Sequence, residues 1–87
     1  MPRQSRMKDI RLNIITPEST LVDEMVDSVT LPGSLSPFQV LKDHAALLSS
    51  LSAGTVRYVC GGQESEIAVK GGFVEVCDNV VSVCVEI

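Results

Sequence analysis

The chain has 87 residues, 45% of them hydrophobic, and a formal net charge of −4 at neutral pH. This length allows one domain that buries roughly 60–65% of its unfolded surface, and it excludes a second domain. The apolar residues are mostly Val, Leu, Ile and Ala, with two Phe, one Tyr and no Trp, which favours a thin β-branched core and leaves little aromatic surface for stacking bases.

The charges are unevenly distributed along the chain. Arg3, Arg6, Lys8 and Arg11 against Asp9 give the first eleven residues a net charge of +3 and leave −7 for the remainder. An acidic body without a basic stripe argues against nucleic acid as the main partner, because neutralisation of phosphates dominates that affinity. The basic segment could contact an anionic membrane or RNA, but we expect a disordered, solvated leader over residues 1–6 and one folded domain over residues 7–87.

The sequence shows none of the common targeting signals. No apolar run approaches the ~20 residues that a membrane-spanning helix needs. The opening MPRQSR has no apolar stretch of the kind found in signal peptides, and no long transit peptide is visible. Together with the cysteines described next, this pattern favours the bacterial cytoplasm over an organelle.

The cysteines are odd in number, and each lies inside an apolar run: Cys60, Cys77 and Cys84. That arrangement is typical of buried free thiols in a reducing compartment. If Asp78-Asn79 forms a two-residue turn, Cys77 faces Val80. Cys84 then faces Phe73, so the two thiols lie on distant rungs and a disulfide is not expected. Three scattered cysteines and one remote histidine also lack the close spacing of a zinc site.

The first strands are predicted from alternation of apolar and polar residues. Such alternation runs from Ile10 to Ile14 and indicates a strand with one face inward, which Thr16-Pro17-Glu18 ends. A short run at Leu21-Val22 follows. It leads through a break at Asp23-Glu24 into a strand from Met25 to Leu31.

The stretch from Leu31 to Gly54 departs from simple alternation. Pro32-Gly33 stops the preceding strand, Phe38 to Leu41 is a short extended piece, and Lys42-Asp43 is a turn. The Ala and Leu content of Ala45 to Leu51 would suit a helix, but the run is short and ends in two serines, so we predict a strand. Irregular loops held between rigid strands usually carry a small domain's contacts, and this stretch is where we expect them.

The remainder of the chain alternates strands with turn dipeptides. The predicted strands are Thr55 to Cys60, Glu64 to Lys70, Phe73 to Cys77 and Val80 to Ile87, and the turns are Gly61-Gly62, Gly71-Gly72 and Asp78-Asn79. Gly71-Gly72 is expected to supply the positive φ angles of a tight hairpin. About eight or nine short strands result, which indicates an all-β sandwich or barrel.

Catalytic chemistry has no support in the sequence. Ser49 and Ser50 lie near His44, but the adjacent Asp43 would point to the other face, and no nucleophile elbow is present. The acidic pairs are interpreted as turn residues and a solvated strand face: Asp23-Glu24, and Glu64 with Glu66. The glycines form no phosphate-binding motif.

The order and spacing of several short motifs identify a family. TPESTLVDEMVDSVTLPG, FQVLKDHAALLSSLSAGTVRY and IAVKGGFVEVCDNVVSV, spread over Met7 to Val85, resemble the N-terminal domain of the epsilon subunit of F-type ATP synthases, called delta in mitochondria. The resemblance implies a flattened β-sandwich of about ten short, mostly antiparallel strands. It implies a non-catalytic subunit of the rotor's central stalk that binds no cofactor, contacts the gamma subunit and the membrane c ring, and supports coupling of proton flow to ATP synthesis.

The resemblance also assigns contact residues by position. The ring-facing loop corresponds to Gly33, Ser34, Leu35, Ser36, Pro37 and Phe38, and the gamma-facing surface to His44 and Ser49. His44 could equally be structural, with an imidazole that satisfies loop backbone groups, and the two roles are compatible.

The sequence departs from the family pattern in two ways. Leu35-Ser36-Pro37 stands where many relatives have Gly-x-Gly or an acidic loop, and Lys42 and Ala46 stand where they have Pro. We expect a short form without the C-terminal helical hairpin of most relatives, and therefore neither its inhibition of ATP hydrolysis nor its ATP binding. A free-standing β-sandwich adaptor is the alternative function, and an enzyme would need a pocket of converging polar groups.

Overall fold

Nine β-strands make up the regular structure of residues 9–87, the part of the chain that the computed structural model describes. The predicted leader over residues 1–6 lies outside the described residues. The strands are β1 (Ile10–Ile15), β2 (Thr20–Val26), β3 (Ser28–Leu31), β4 (Phe38–Val40), β5 (Leu47–Leu51), β6 (Gly54–Cys60), β7 (Gln63–Val69), β8 (Gly71–Cys77) and β9 (Val80–Glu86).

The strands form two sheets that pack face to face. One sheet has five strands in the order β2-β1-β9-β8-β5, and the other has four in the order β4-β3-β6-β7. Every neighbouring pair is antiparallel except β1 and β9, which run parallel. The prediction of a mostly antiparallel, all-β sandwich is confirmed.

The core consists mainly of valine, with isoleucine and leucine, as the composition predicted. On β1 the alternate residues Ile10, Leu12 and Ile14 are completely buried, and Leu12 and Ile14 lie beside the equally buried Val81 and Val83 of β9. Burying one such side chain contributes about 1.5–3 kcal/mol. The alternation on β1 and β9 therefore explains why these two strands lie at the centre of the five-stranded sheet.

Most strand boundaries agree with the prediction to within two residues, and the largest differences lie in β2 and at the start of β3. The break at Asp23-Glu24 is wrong, because β2 runs unbroken to Val26 and the chain changes sheets at Asp27. Charged residues are tolerated there because β2 is an edge strand open to water. The Asp23 carboxylate forms an ion pair with the Arg11 guanidinium at 2.7 Å. The strand predicted from Ala45 begins at Leu47.

Lys42-Asp43 forms the predicted turn, and two of the three turn dipeptides predicted after β6 are also confirmed. Gly61-Gly62 has φ angles of 61° and 86°, and Asp78-Asn79 has 51° and 63°, as two-residue hairpin turns require. The prediction of a hairpin at Gly71-Gly72 is wrong, because β7 and β8 belong to different sheets. Gly72 has a φ of 149°, and a Cβ there would collide with the Cys84 carbonyl oxygen, so close approach of two backbones explains this glycine.

The cysteine register is confirmed, but the predicted burial is wrong. Cys77 pairs with Val80 and Cys84 with Phe73, as expected from the Asp78-Asn79 turn. Cys77 is nevertheless exposed, and Cys60 and Cys84 are only partly buried. An apolar run on a strand does not show which side faces the core, and Cys77 and Cys84 both take the outward side.

Candidate protein-interaction surfaces

The first candidate surface is the loop between β3 and β4, which contains the six predicted ring-contact residues. Leu35 at its tip is fully exposed, and Ser34, Ser36 and Pro37 are also exposed. Gly33 is buried, and a Cβ on it would come within 2.6 Å of the Ser36 carbonyl oxygen. Phe38 is half-buried and packs against the core. The accessible part of the loop therefore runs from Ser34 to Pro37, while its two ends hold it in place.

This loop is fixed to the edge of β5. The Ser34 backbone N–H donates to the Ser50 carbonyl at 3.1 Å, and the Ser50 hydroxyl donates to the Ser34 hydroxyl at 2.8 Å. The Ser52 N–H donates to the Pro32 carbonyl at 2.8 Å. These bonds occupy backbone groups that an edge strand would otherwise leave unpaired. They also fix the position of the loop segment from which Leu35 projects.

The second candidate surface is the loop over residues 41–46, which carries His44. The His44 Nδ1 lies 2.8 Å from the Ala45 carbonyl oxygen, which can only accept, so Nδ1 carries the proton in this contact. A neutral imidazole in this form presents Nε2 as an acceptor. Asp43 bonds to Asn79 of the β8–β9 turn instead of orienting the imidazole, in agreement with the prediction that it points elsewhere.

Ser49 does not lie beside His44. It sits in the middle of β5 opposite the fully buried Val74, on the inner side of an edge strand, and is half-buried. The neighbouring Ser50 faces outward and contacts Ser34, so the structure joins this part of β5 to the ring-contact loop. The two predicted gamma contacts therefore lie on different elements, His44 in a loop and Ser49 on the inner side of β5.

Sequence reasoning missed a third surface, the outer side of the five-stranded sheet. Six large apolar side chains are exposed there, and we call them the apolar face: Ile15, Leu21, Met25, Leu48, Phe73 and Val80. A polar row on the same side separates Met25 and Val80 from Ile15 and Phe73, and it consists of Asp23, Asn13, Ser82 and Glu75. Leu48 is 74% exposed and Phe73 52%. The available signal was the presence of consecutive apolar residues on β2, β8 and β9, because such strands are apolar on both sides.

A groove of about 490 Å³ lies at one end of the apolar face. Its walls include Ile15, Phe73 and Cys84, which occupy one row across β1, β8 and β9. The same row continues through Ser50 on β5 to Ser34. The groove and the ring-contact loop thus belong to one continuous surface.

The outer side of the four-stranded sheet has a different character. Arg57 on β6 forms a 2.8 Å ion pair with Glu66 and a 3.6 Å ion pair with Glu64, both on β7. Gln39, Thr30 and Thr55 also face outward. We call this side the polar face, and its charges lie in water beside their partners.

The described residues hold little reactive chemistry. Between Asp9 and Ile87 no cluster of three or more acidic, histidine or cysteine side chains could hold a metal ion. In the same range no helix is long and apolar enough to cross a membrane. The negative charge of Asp78, whose Oδ2 lies 3.7 Å from the Cys77 sulfur, raises the pKa of that thiol, with smaller contributions from desolvation and Glu75.

Comparison with known proteins agrees with the sandwich and identifies its family. Residues 9–87 match the family described as the ATP synthase delta/epsilon chain β-sandwich domain. The chain belongs to this family. It is 40% identical over 72 residues to the ATP synthase epsilon chain of Desulfitobacterium hafniense, covering 83% of this chain and 54% of that protein. It is 42% identical over 79 residues to the epsilon chain of Nitratidesulfovibrio vulgaris, covering 91% and 59%. The chain thus spans little more than half the length of these relatives.

Solved structures share the fold. A chain in the Euglena gracilis mitochondrial ATP synthase, from an OSCP/F1/c-ring structure, superposes with a TM-score of 0.84 at 24% identity, covering 94% of this chain and 53% of that one. A chain in the Tetrahymena thermophila mitochondrial ATP synthase, from a central stalk/c-ring structure, gives 0.78 at 16% identity, covering 97% and 67%. At these identities the likeness establishes the sandwich architecture of this member of the family.

Proposed function

We propose that this protein is a non-catalytic rotor subunit of a proton-translocating F-type ATP synthase, which links the gamma subunit to the c ring. The match of residues 9–87 to the delta/epsilon β-sandwich family carries the proposal. The Tetrahymena central stalk/c-ring structure, which contains a chain of the same fold, also supports it. The relatives from Desulfitobacterium and Nitratidesulfovibrio are bacterial, which supports a peripheral position on the cytoplasmic face of a bacterial plasma membrane, held there through the complex.

The ring contact is assigned to the loop from Gly33 to Phe38. Its exposed part presents a fully exposed Leu35 between two serines that can hydrogen-bond to a polar loop of the ring. No carboxylate is present in this segment, so the contact would depend on Leu35, the serine hydroxyls and backbone groups. Gly33 and Phe38 contribute by fixing the ends of the loop.

The gamma contact is assigned to His44 and Ser49 and extended to the apolar face. Long-lived subunit interfaces are more apolar than transient ones, and large apolar patches on a protein surface mark such sites. The apolar face lies on the same sheet as β5 and borders the His44 loop through the Asp78-Asn79 turn. One partner surface that covers Leu48 and Phe73 can therefore also reach the His44 loop.

Reconstitution tests this function directly. The protein is mixed with the purified gamma subunit of its own organism and separated by gel filtration, with the protein alone and gamma alone as references. A stable co-eluting complex is the expected result. Elution as two separate species would contradict the rotor assignment and favour an adaptor for another partner.

His44→Asp tests the loop contact. Aspartate is shorter than histidine, so its carboxylate does not reach the position of Nε2, and it adds a negative charge. The affinity for gamma should therefore fall, by about tenfold if one good hydrogen bond is lost. The denaturation midpoint of the isolated domain should stay close to wild type, because His44 lies in a surface loop. Unchanged affinity would leave His44 with a structural role alone.

A further inference from the structure

The side chain of Asn79 connects the β8–β9 turn to the loop that carries His44. Its Oδ1 accepts a hydrogen bond from the Asp43 backbone N–H at 2.6 Å, and its Nδ2 donates to the Asp43 Oδ1 at 3.1 Å. The two residues are 36 positions apart in the sequence. A reciprocal pair of this kind fixes both the position and the orientation of Asp43 relative to the sheet.

Asn79 is itself firmly placed. Its carbonyl accepts a 2.9 Å hydrogen bond from the Arg11 N–H near the start of β1. Its φ of 63° is the left-handed conformation that the second position of a two-residue hairpin turn needs. The residue thus links the central strands of the five-stranded sheet to the loop.

The loop over residues 41–46 has weaker support from its own chain. It is not paired as a strand, and its internal backbone bond from the His44 N–H to the Leu41 carbonyl is 3.2 Å long. Lys42 adds a 3.9 Å ion pair with Asp9, which is long and exposed. Asp43 has a φ of 64°, a left-handed conformation that is uncommon for residues other than glycine although Asp adopts it more readily than most, and it directly precedes His44. Whatever holds Asp43 in that conformation determines where His44 points.

We infer that Asn79 is a positioning residue for partner binding, which holds Asp43 in its left-handed conformation and so presents His44 in a fixed orientation. This inference rests on the proposed contact between the His44 loop and gamma. Preorganisation of a loop raises its affinity for a partner, because no further conformational entropy is lost in ordering the loop on binding. The amide of Asn79 would thus act on the interface without touching the partner.

Four variants separate this role from the turn itself. Asn79→Gly keeps the left-handed turn, since Asp-Gly is a favoured hairpin pair, but removes both bonds to Asp43. Asn79→Asp opposes two carboxylates. Combining Asn79→Asp with Asp43→Asn restores a reciprocal pair, because the new amide at position 43 donates to the new carboxylate. Asp43→Asn alone keeps an oxygen for the Asn79 amide and serves as the matched control.

Binding to gamma is measured by titration calorimetry. Asn79→Gly and Asn79→Asp should bind about fivefold to tenfold more weakly than wild type, whereas Asp43→Asn and the double variant should bind within about twofold. Gamma binding by wild type together with equal binding by all variants would overturn the inference. Failure of the wild type to bind gamma would instead overturn the proposed function.

Amide hydrogen exchange tests the positioning role without any partner. In Asn79→Gly the N–H groups of Asp43 and His44 should exchange at least about tenfold faster, while those of Val81 and Val83 in β9 keep their protection. A purely structural role in the turn would change β9 and the loop together. Unchanged exchange at Asp43 and His44 would overturn the inference whatever the binding data show.

Discussion

The outer sides of the two sheets differ more than the strands that form them. Both sheets bury alternate apolar residues against one shared core. Outward, the five-stranded sheet exposes Leu48, Phe73 and the rest of the apolar face beside the Arg11–Asp23 ion pair, whereas the four-stranded sheet exposes Arg57 between Glu64 and Glu66. The charges of the polar face are paired and hydrated, so this face needs no partner. Exposed apolar side chains such as those of the apolar face mark sites of protein interaction. The difference points to one side of the sandwich as the binding side.

The prediction with the largest expected effect tests whether the side chains of the apolar face contribute to the stability of the fold. Leu12→Ala removes a completely buried side chain of β1 and should lower the free energy of unfolding by about 2–5 kcal/mol. Leu48→Ala makes the same change on the outer side of the same sheet and should stay within about 0.5 kcal/mol of wild type. Urea denaturation measures both. A cost for Leu48→Ala that approached that of Leu12→Ala would show that the apolar face stabilises the fold itself.

The next prediction compares the two faces in binding. Phe73→Glu replaces the aromatic side chain of the apolar face with a charge and should weaken gamma binding by at least about tenfold, because aromatic residues often contribute most of an interface's binding energy. Thr55→Glu adds the same charge to the polar face and should leave the affinity unchanged. Calorimetric titration gives both values, and comparable losses for the two variants would remove the distinction between the faces. Dimerisation of wild type that Phe73→Glu abolishes would assign the face to a second copy instead.

A smaller effect is expected from the ion pairs of the polar face. The 2.8 Å contact between Arg57 and Glu66 joins two half-exposed side chains, so a double-mutant cycle with alanine should give a coupling of about 0.2–1 kcal/mol. The coupling should decrease in 1 M salt because exposed charges are screened. Thermal or urea denaturation of the four proteins measures it. A salt-independent coupling would indicate that this face is shielded from water.

The smallest effect concerns Cys77, at the margin of the apolar face. Its pKa is raised chiefly because the Asp78 carboxylate repels the thiolate, so less of the reactive thiolate is present at neutral pH. Asp78→Asn removes that repulsion and should lower the pKa, increasing alkylation at pH 8 by roughly twofold to fivefold. Asn tolerates the left-handed conformation of position 78, so the turn is kept. Peptide-level mass spectrometry separates Cys77 from Cys84, whose rate should not change; equal rates at Cys77 would contradict the electrostatic explanation.

The local features of the chain were predictable because they depend on a few neighbouring residues. The inward positions Ile10, Leu12 and Ile14 follow from alternation, and the turns at Gly61-Gly62 and Asp78-Asn79 follow from residues that accept positive φ. Gly71-Gly72 gave the same local signal and was interpreted wrongly, because the chain passes there from one sheet to the other. Gly72 is required instead for its close approach to the Cys84 backbone on the neighbouring β9. The stretch from Leu31 to Gly54 was predicted to carry contacts because its breakers interrupt the alternation, whereas the ring-contact role of the Leu35 loop was assigned from family resemblance alone.

The sequence by itself determined the all-β class, most strand positions and the family, since these depend on local periodicity and motif order. Only the tertiary structure decided which sheet each strand joins and which side of it faces water. A strand such as β8 or β9 is apolar on both sides, and the position of the opposing sheet alone makes Val74 core and Phe73 surface. The same packing brings Asn79 to Asp43 and thereby places His44. Contacts between residues far apart in sequence set these features, so local pattern could not reveal them.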